Sequence, residues 1–253
     1  MLAAKQLTRT FGDLKALDHL DLNVQAGEAV CLLGANGAGK TTTINLFLGF
    51  LEPSAGAAFV DGMEVAKHPL ETKKRLAYIP EQVALYPQLS GVENLDYFLR
   101  LSGVKKSASE LSDMLIAAGL PADAINKRAS NYSKGMRQKV GVAIALAKEA
   151  GALLLDEPLS GLDPSAANDL CAVLRRLRDD GRAILMATHD VFRAKEIGTR
   201  IGIMKSGRLI DTLDAAALDA GEIERVYLAH MHEAGGAPNG VNAPGEEDKG
   251  AAA

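Results

Sequence analysis

The sequence predicts an α/β fold: a mostly parallel sheet with flanking helices, an N-terminal antiparallel β flap and an inserted helical lobe. Three observations predict it. Short apolar runs alternate with helix-period stretches along most of the chain. The N-terminal segments instead alternate apolar and polar residues more loosely. Between residues 90 and 150 strand signals vanish while helical periodicity runs on almost unbroken.

Taken in order, "KQLTRTFG" and "ALDHLDLNV" suit the antiparallel flap, and "AAFVDGM" around Phe59 can join it. "AVCLLG" (29–34), "RLAYIP" (75–80), "ALLLDE" (152–157) and "AILMATH" (183–189) are short, apolar and bounded by polar or turn residues. Such runs suit strands buried on both faces of a parallel sheet, joined by crossover helices. "GVENLDYFLRLSG", "SASELSDMLIAAGL" and "SKGMRQKVGVAIALAKEAG" read as the three helices of the lobe. "IGIMKSGRLI" reads as a late hairpin turning at Lys205–Gly207, with a short helical segment after it. From Gly235 the chain is small, Gly/Pro-rich and nearly free of bulky apolar groups, so it cannot offset its own ordering entropy and reads as a flexible tail. The expected division is a core with its flap at 1–83 and 151–215, a helical subdomain at 84–150, and a C-terminal helix and tail at 216–253.

Composition narrows the function classes. The 253 residues can bury one large core, or one core and a smaller lobe. A net charge of −4 supplies no global basic field, which counts against a nucleic-acid partner. No run approaches the roughly 18–20 apolar residues of a membrane helix, and "MLAAKQLTRTFG" lacks the apolar segment of a secretory signal. The default expectation is a cytosolic protein whose membrane role, if any, needs a partner chain. Cys31 and Cys171 sit alone in apolar contexts and read as buried, reduced thiols.

The strongest chemical signal is "GANGAGKTT": Gly34, Ala35, Asn36, Gly37, Ala38, Gly39, Lys40, Thr41 and Thr42. It follows an apolar strand and opens a helix, fitting G-x-x-x-x-G-K-[ST], in which backbone N–H groups cradle phosphates. The three glycines let the chain bend tightly against the anion. Lys40 would reach the β- and γ-phosphates, and the Thr41 hydroxyl would ligate Mg²⁺. This marks a P-loop NTPase core.

"ALLLDEP" places Asp156 and Glu157 at the carboxyl end of a buried strand, where open α/β sheets bind ligands. Asp156 can hold Mg²⁺ through its water shell, and Glu157 can orient and polarise an attacking water. Asp163 before Pro164 is a sufficient helix N-cap in its own right. His189 ends "AILMATH" in the same sheet and can contact a γ-phosphate. Phe11 is either core or an aromatic face for adenine, and the residues alone leave both open. His230 and His232 have the spacing of a metal pair, but no acid or cysteine cluster accompanies them. In "NYSKGMRQKV", Ser133 can cap a helix whose start, with Gly135, Arg137 and Lys139, looks like a second anion site.

Phosphate loop, "NYSKGMRQ", "LLLDEP", "SGLD" and "TH" occur here in the order of an ABC-transporter ATP-binding cassette, which the chain resembles over about residues 2–215. "YSKGM" in place of the commoner "LSGGQ" resembles the ATPases of ABC-2-type exporters. The resemblance implies an ATPase bound to the cytoplasmic face of a membrane through an integral permease subunit. It also implies a head-to-tail homodimer that sandwiches two ATP molecules. Each ATP would lie between the phosphate loop of one copy and Ser133, Lys134 and Gly135 of the other. By the same resemblance Phe11 matches the adenine-stacking aromatic, Glu157 the catalytic carboxylate, Asp163 the interface acid and His189 the switch histidine. In "YIPEQ", Glu81 stands where the family usually has a glutamine that meets the metal, and Gln82 lies one position late.

Other classes fit less well. A GTPase would need an Asn-Lys-x-Asp guanine reader, and "NKRA" at 126–129 lacks the acid. A kinase has no use for the Ser133 motif. A non-transport ABC ATPase acting on nucleic acid or ribosome generally carries a long coiled-coil insertion or a second cassette, neither of which fits within this chain.

Overall fold

The computed structural model describes residues 1–232. The tail expected from Gly235 lies outside the described residues. Strands β1 (Leu2–Phe11) and β2 (Leu14–Val24) form a hairpin, and β3 (Ala29–Leu33) leads into helix α1 (Lys40–Phe47). Next come β4 (Ala55–Val60), β5 (Met63–Glu64), α2 (Pro69–Lys74) and β6 (Leu76–Ile79). Helices α3 (Gly91–Leu101), α4 (Ala108–Ala117) and α5 (Lys134–Ala147) follow, with two short 3-10 turns between the last two. The chain then returns through β7 (Ala152–Asp156), α6 (Pro164–Asp179), β8 (Ala183–Thr188), α7 (Val191–Ile197), β9 (Arg200–Lys205), β10 (Arg208–Asp214) and α8 (Ala220–His232).

Two sheets result. The flap is antiparallel in the order β2-β1-β4-β5, so the segment around Phe59 does join it. The core sheet runs β10-β9-β3-β8-β7-β6, parallel except for the edge strand β10. The late hairpin turns where expected, with Ser206 and Gly207 both at positive φ.

Strand periodicity explains how one sheet serves two cores. Ala29, Cys31 and Leu33 of β3 point into a core shared with α3–α7, alongside Leu153 and Leu155 of β7 and Ile184 and Met186 of β8. The alternate residues Val30, Leu32, Leu154 and Leu185 point the other way, into a core shared with α1 and the flap. Each central strand is therefore apolar on both faces up to its carboxyl end, which is why these segments read as continuous runs. Cys31 and Cys171 are buried and unpaired, and burial pushes both thiols up to about 12.

Helix starts are set by local chemistry. Ser90 with Glu93 and Ser107 with Glu110 form reciprocal capping boxes at α3 and α4. Ser133 Oγ accepts from the Met136 amide at α5, and Asp163 accepts from the Ala166 amide at α6. Both caps stand where the sequence places them. His230 is engaged by Asp211, at 2.9 Å.

Candidate functional site

Strand order gathers the chemistry on one edge. The phosphate loop leaves the carboxyl end of β3, His189 follows β8, Asp156 ends β7 with Glu157 next, and Glu81 lies just beyond β6. These strands are consecutive neighbours, so residues far apart in sequence become adjacent.

The phosphate loop is clamped from two sides. A Cβ built at Gly39 would lie 2.7 Å from the Ala16 carbonyl of β2, and Gly39 has φ +104°. A Cβ at Gly34 would lie 2.6 Å from the Met204 carbonyl of β9. The Gly207 amide donates to the Ala38 carbonyl at 3.1 Å. Only glycine fits this close approach of three backbones. By contrast a Cβ at Gly37 would meet nothing within 4 Å, so this side of the loop is open.

Inside the loop, buried Lys40 Nζ donates to the carbonyls of Gly34 at 2.6 Å and Ala35 at 3.2 Å. It also lies 3.7 Å from Glu157 Oε1, too far for a hydrogen bond. That oxygen is buried with no hydrogen-bond partner among the described residues. The other carboxylate oxygen, Oε2, is 3.0 Å from His189 Nδ1, on an exposed imidazole. Glu157 holds φ +46°, a left-handed conformation unusual for a non-glycine residue, while its amide donates to the Ala187 carbonyl. The ladder thus carries the turn one residue past β7 and aims the carboxylate at Lys40.

Thr41 Oγ1 donates to Asp156 Oδ1 at 3.1 Å. Burial, then repulsion from Glu157, raises the Asp156 carboxyl above its usual range, against the hydrogen bond from Thr41. Hydroxyl and carboxylate together offer two hard oxygens. No group of three or more His, Cys, Asp or Glu residues able to hold a metal occurs among the described residues. That donor set fits Mg²⁺, which takes one or two protein oxygens and fills its remaining positions from phosphates and water. A buried lysine hydrogen-bonded only to loop carbonyls and a carboxylate oxygen without a hydrogen bond likewise fit a phosphate chain and an attacking water.

The remaining predicted residues have the following surroundings. Phe11 is no core residue: it is 43% exposed near the flap hairpin, with the Arg9 guanidinium 4.5 Å from its ring centroid. Glu81 Oε1 accepts from Ser160 Oγ at 3.2 Å and lies 3.6 Å from Lys134 Nζ. Gln82 lines a separate cavity of about 420 Å³ with Val83, Ala84, Lys134 and Arg137. Gly135 abuts α6, where a Cβ would come 2.9 Å from the Ala166 Cβ. Gly135, two residues after Ser133, is therefore seated against the start of α6, whereas the phosphate loop is seated against β2 and the β9–β10 turn.

Sequence reasoning missed Gln138. It is buried on α5, and its Nε2 donates to the carbonyls of Pro80 at 3.1 Å and Glu81 at 2.9 Å. A glutamine one helical turn after Lys134, on the same helix face, was the signal available.

Known proteins resemble this chain in sequence and fold. The family model described as ABC transporter matches residues 17–160. The chain is 34% identical to the ABC transporter ATP-binding protein NatA of Bacillus subtilis, over 83% of this chain and 88% of that one. It is 32% identical to the daunorubicin/doxorubicin resistance ATP-binding protein DrrA of Streptomyces peucetius, over 90% of this chain and 69% of that one. Against the rat ATP-binding cassette sub-family A member 7 it is 36% identical but spans only 10% of that protein. Among solved structures it resembles an ATP-binding subunit of an ABC transporter, with TM-score 0.79, 29% identity, and 91% and 99% of the two chains covered. It also resembles a dimeric cassette in a post-hydrolysis state bound to ADP and Pi, with TM-score 0.76, 25% identity, and 85% and 99% covered.

An α/β cassette with this nucleotide site defines the class: a P-loop ATP hydrolase. The chain belongs to the ABC transporter family, as an ATP-binding cassette.

Proposed function

We propose that two copies of this cassette close head to tail over two ATP molecules and that closure drives an integral membrane permease of the ABC-2 exporter kind. One observation carries the reading. Gly135, beside Ser133, abuts the start of α6 while the phosphate loop is seated against β2 and the β9–β10 turn, and in this reading the two complete the phosphate loop of a second copy. Solved relatives described as dimeric cassettes, one of them bound to ADP and Pi, support a dimer. The names of NatA and DrrA support an ATP-binding subunit, and the drug-resistance name supports export.

In this reading Lys40 and the loop amides from Gly34 to Thr42 hold the phosphates, with Phe11 stacking on adenine. Thr41 and Asp156 hold Mg²⁺, which would neutralise phosphate charge, and Glu81 reaches the metal or its waters. Glu157 orients the attacking water with its unpaired oxygen, His189 contacts the γ-phosphate, and Asp163 faces the partner copy. Asp156, raised by its buried acidic surroundings, gains from a cation beside it. No helix among the described residues is long and apolar enough to cross a membrane, so the permease is a separate chain or segment in this scheme. Its contact is the face around α3, where exposed Tyr86 and Tyr97 stack edge-on at 4.7 Å beside Phe98.

The test mixes a Lys40→Ala chain with a Ser133→Arg chain. Each mutant homodimer has two damaged sites, but a head-to-tail heterodimer has one intact site and one doubly damaged. ATPase activity should reappear on mixing, and single-site nucleotide trapping should find one loaded site per heterodimer. Crosslinked heterodimers that trap no nucleotide would refute the shared site.

A further inference from the structure

We propose that Gln138, with Lys134, is a positioning residue that fastens the Glu81 loop to the helix beginning at Ser133. The proposal deepens the shared-site reading and rests on it for its consequence, though not for its geometry.

The geometry is a stripe. Lys134, Gln138 and Gly141 recur at helical spacing and share one face of α5. Each meets a successive part of the loop after β6. Lys134 Nζ lies 3.6 Å from Glu81 Oε1. Gln138 Nε2 spends both hydrogens on the Pro80 and Glu81 carbonyls. A Cβ at Gly141 would come 2.8 Å from Val83 Cγ2, so the missing side chain lets the loop lie directly on the helix. Two carbonyl acceptors also fix which way the Gln138 amide points, since the flipped amide would set oxygen against oxygen.

Gln138 is held there at a cost. It is 1% exposed, and its Oε1 has no hydrogen-bond partner among the described residues. An apolar residue of similar size would fill the space without leaving a buried oxygen unpaired. What an apolar residue lacks is a grip on the loop backbone. The grip sets where Glu81 stands: its carboxylate rests between Ser160 Oγ and Lys134. Ser133 and Gly135 open the same helix. The γ-phosphate donors offered to one ATP and the acid at the other metal edge therefore ride on a single rigid element. A shift of α5 moves both together, and Lys134 holds Glu81 until a cation competes for it.

The experiment uses the nucleotide-free full chain and a glutamyl endopeptidase, whose scissile bond at Glu81–Gln82 begins at the carbonyl that Gln138 holds. Cleavage after exposed Glu149 in the same sample is the internal reference. Gln138→Met, which keeps the volume and removes the donor, should speed cleavage after Glu81 by about five- to tenfold with Glu149 unchanged. Lys134→Gln should speed it less. Unchanged cleavage in Gln138→Met overturns the proposal. If the Glu149 cut also accelerates, the variant is globally loosened and Lys134→Gln decides: faster cleavage at Glu81 supports the grip, and none removes it. A kinetic arm separates positioning from packing. Gln138→Met should lower kcat while KM for ATP stays within about twofold, and a parallel loss of both overturns a positioning role. Failure of the wild-type chain to bind or hydrolyse ATP would instead sink the shared-site reading, leaving the nucleotide-free result to stand or fall by itself.

Discussion

Glu157 combines three features that a structural acid does not need: a left-handed backbone, one buried oxygen with no hydrogen-bond partner among the described residues, and the other against His189. A helix-capping acid would spend its oxygens on backbone amides, as Asp163 does at α6. Glu157→Gln should therefore keep ATP affinity while turnover falls by roughly 10²–10⁴, typical of a lost general base. Lys40→Ala should weaken binding itself, measured by nucleotide titration. Near-normal turnover in Glu157→Gln would remove the residue from the mechanism. At this scale the sequence was informative wherever a residue type and its spacing carried the chemistry, as in the phosphate loop. It was silent where the role depends on what packs alongside. Phe11 needed its exposure, Glu81 needed Ser160 and Lys134 beside it, and Gln138 needed the two carbonyls it faces.

The elements were legible because their periodicities differ so sharply. β3, β7 and β8 are apolar on both faces, and each lobe helix begins at a serine cap, so few competing assignments survive. Strand order was not legible, since hydropathy says nothing of which neighbour a strand takes. Yet that order is what makes the phosphate loop so tightly clamped. Gly37 and Gly39 look equivalent in the motif but differ in the fold. Gly39→Ala combines positive φ with a Cβ only 2.7 Å from the Ala16 carbonyl, and should cost about 1–3 kcal/mol or more in chemical denaturation. Gly37→Ala meets open space and bears only the backbone strain, so its loss should be the smaller of the two. Equal losses at the two positions would mean that the clamp on Gly39 yields freely.

Across the whole molecule, the flap and the core sheet meet at Asp18. Its amide donates to the Gly207 carbonyl at 2.9 Å, and its carboxylate accepts from Arg208 Nε at 2.7 Å, joining β2 to the β9–β10 turn. The Arg208 guanidinium first, then Lys15 and His19, hold the Asp18 carboxyl well below the usual carboxylate range, against the opposing effect of burial. A carboxylate depressed in the fold stabilises it above its unfolded pKa of about 3.9, and that contribution fades as pH falls toward the folded value. Asp18→Asn should therefore unfold more readily than wild type at neutral pH. The gap between the two should stay constant down to about pH 4 and narrow below it. Urea unfolding of both proteins from neutral to acid pH measures that gap directly. Curves that remain parallel through the acid range would show that Asp18 contributes no charge-dependent stability. The Ala16 carbonyl and the Gly207 amide, which clamp the phosphate loop, flank this junction in β2 and the turn. Loosening it should also weaken nucleotide binding at neutral pH, more than Lys15→Gln does, because Lys15 touches Asp18 without bridging the sheets.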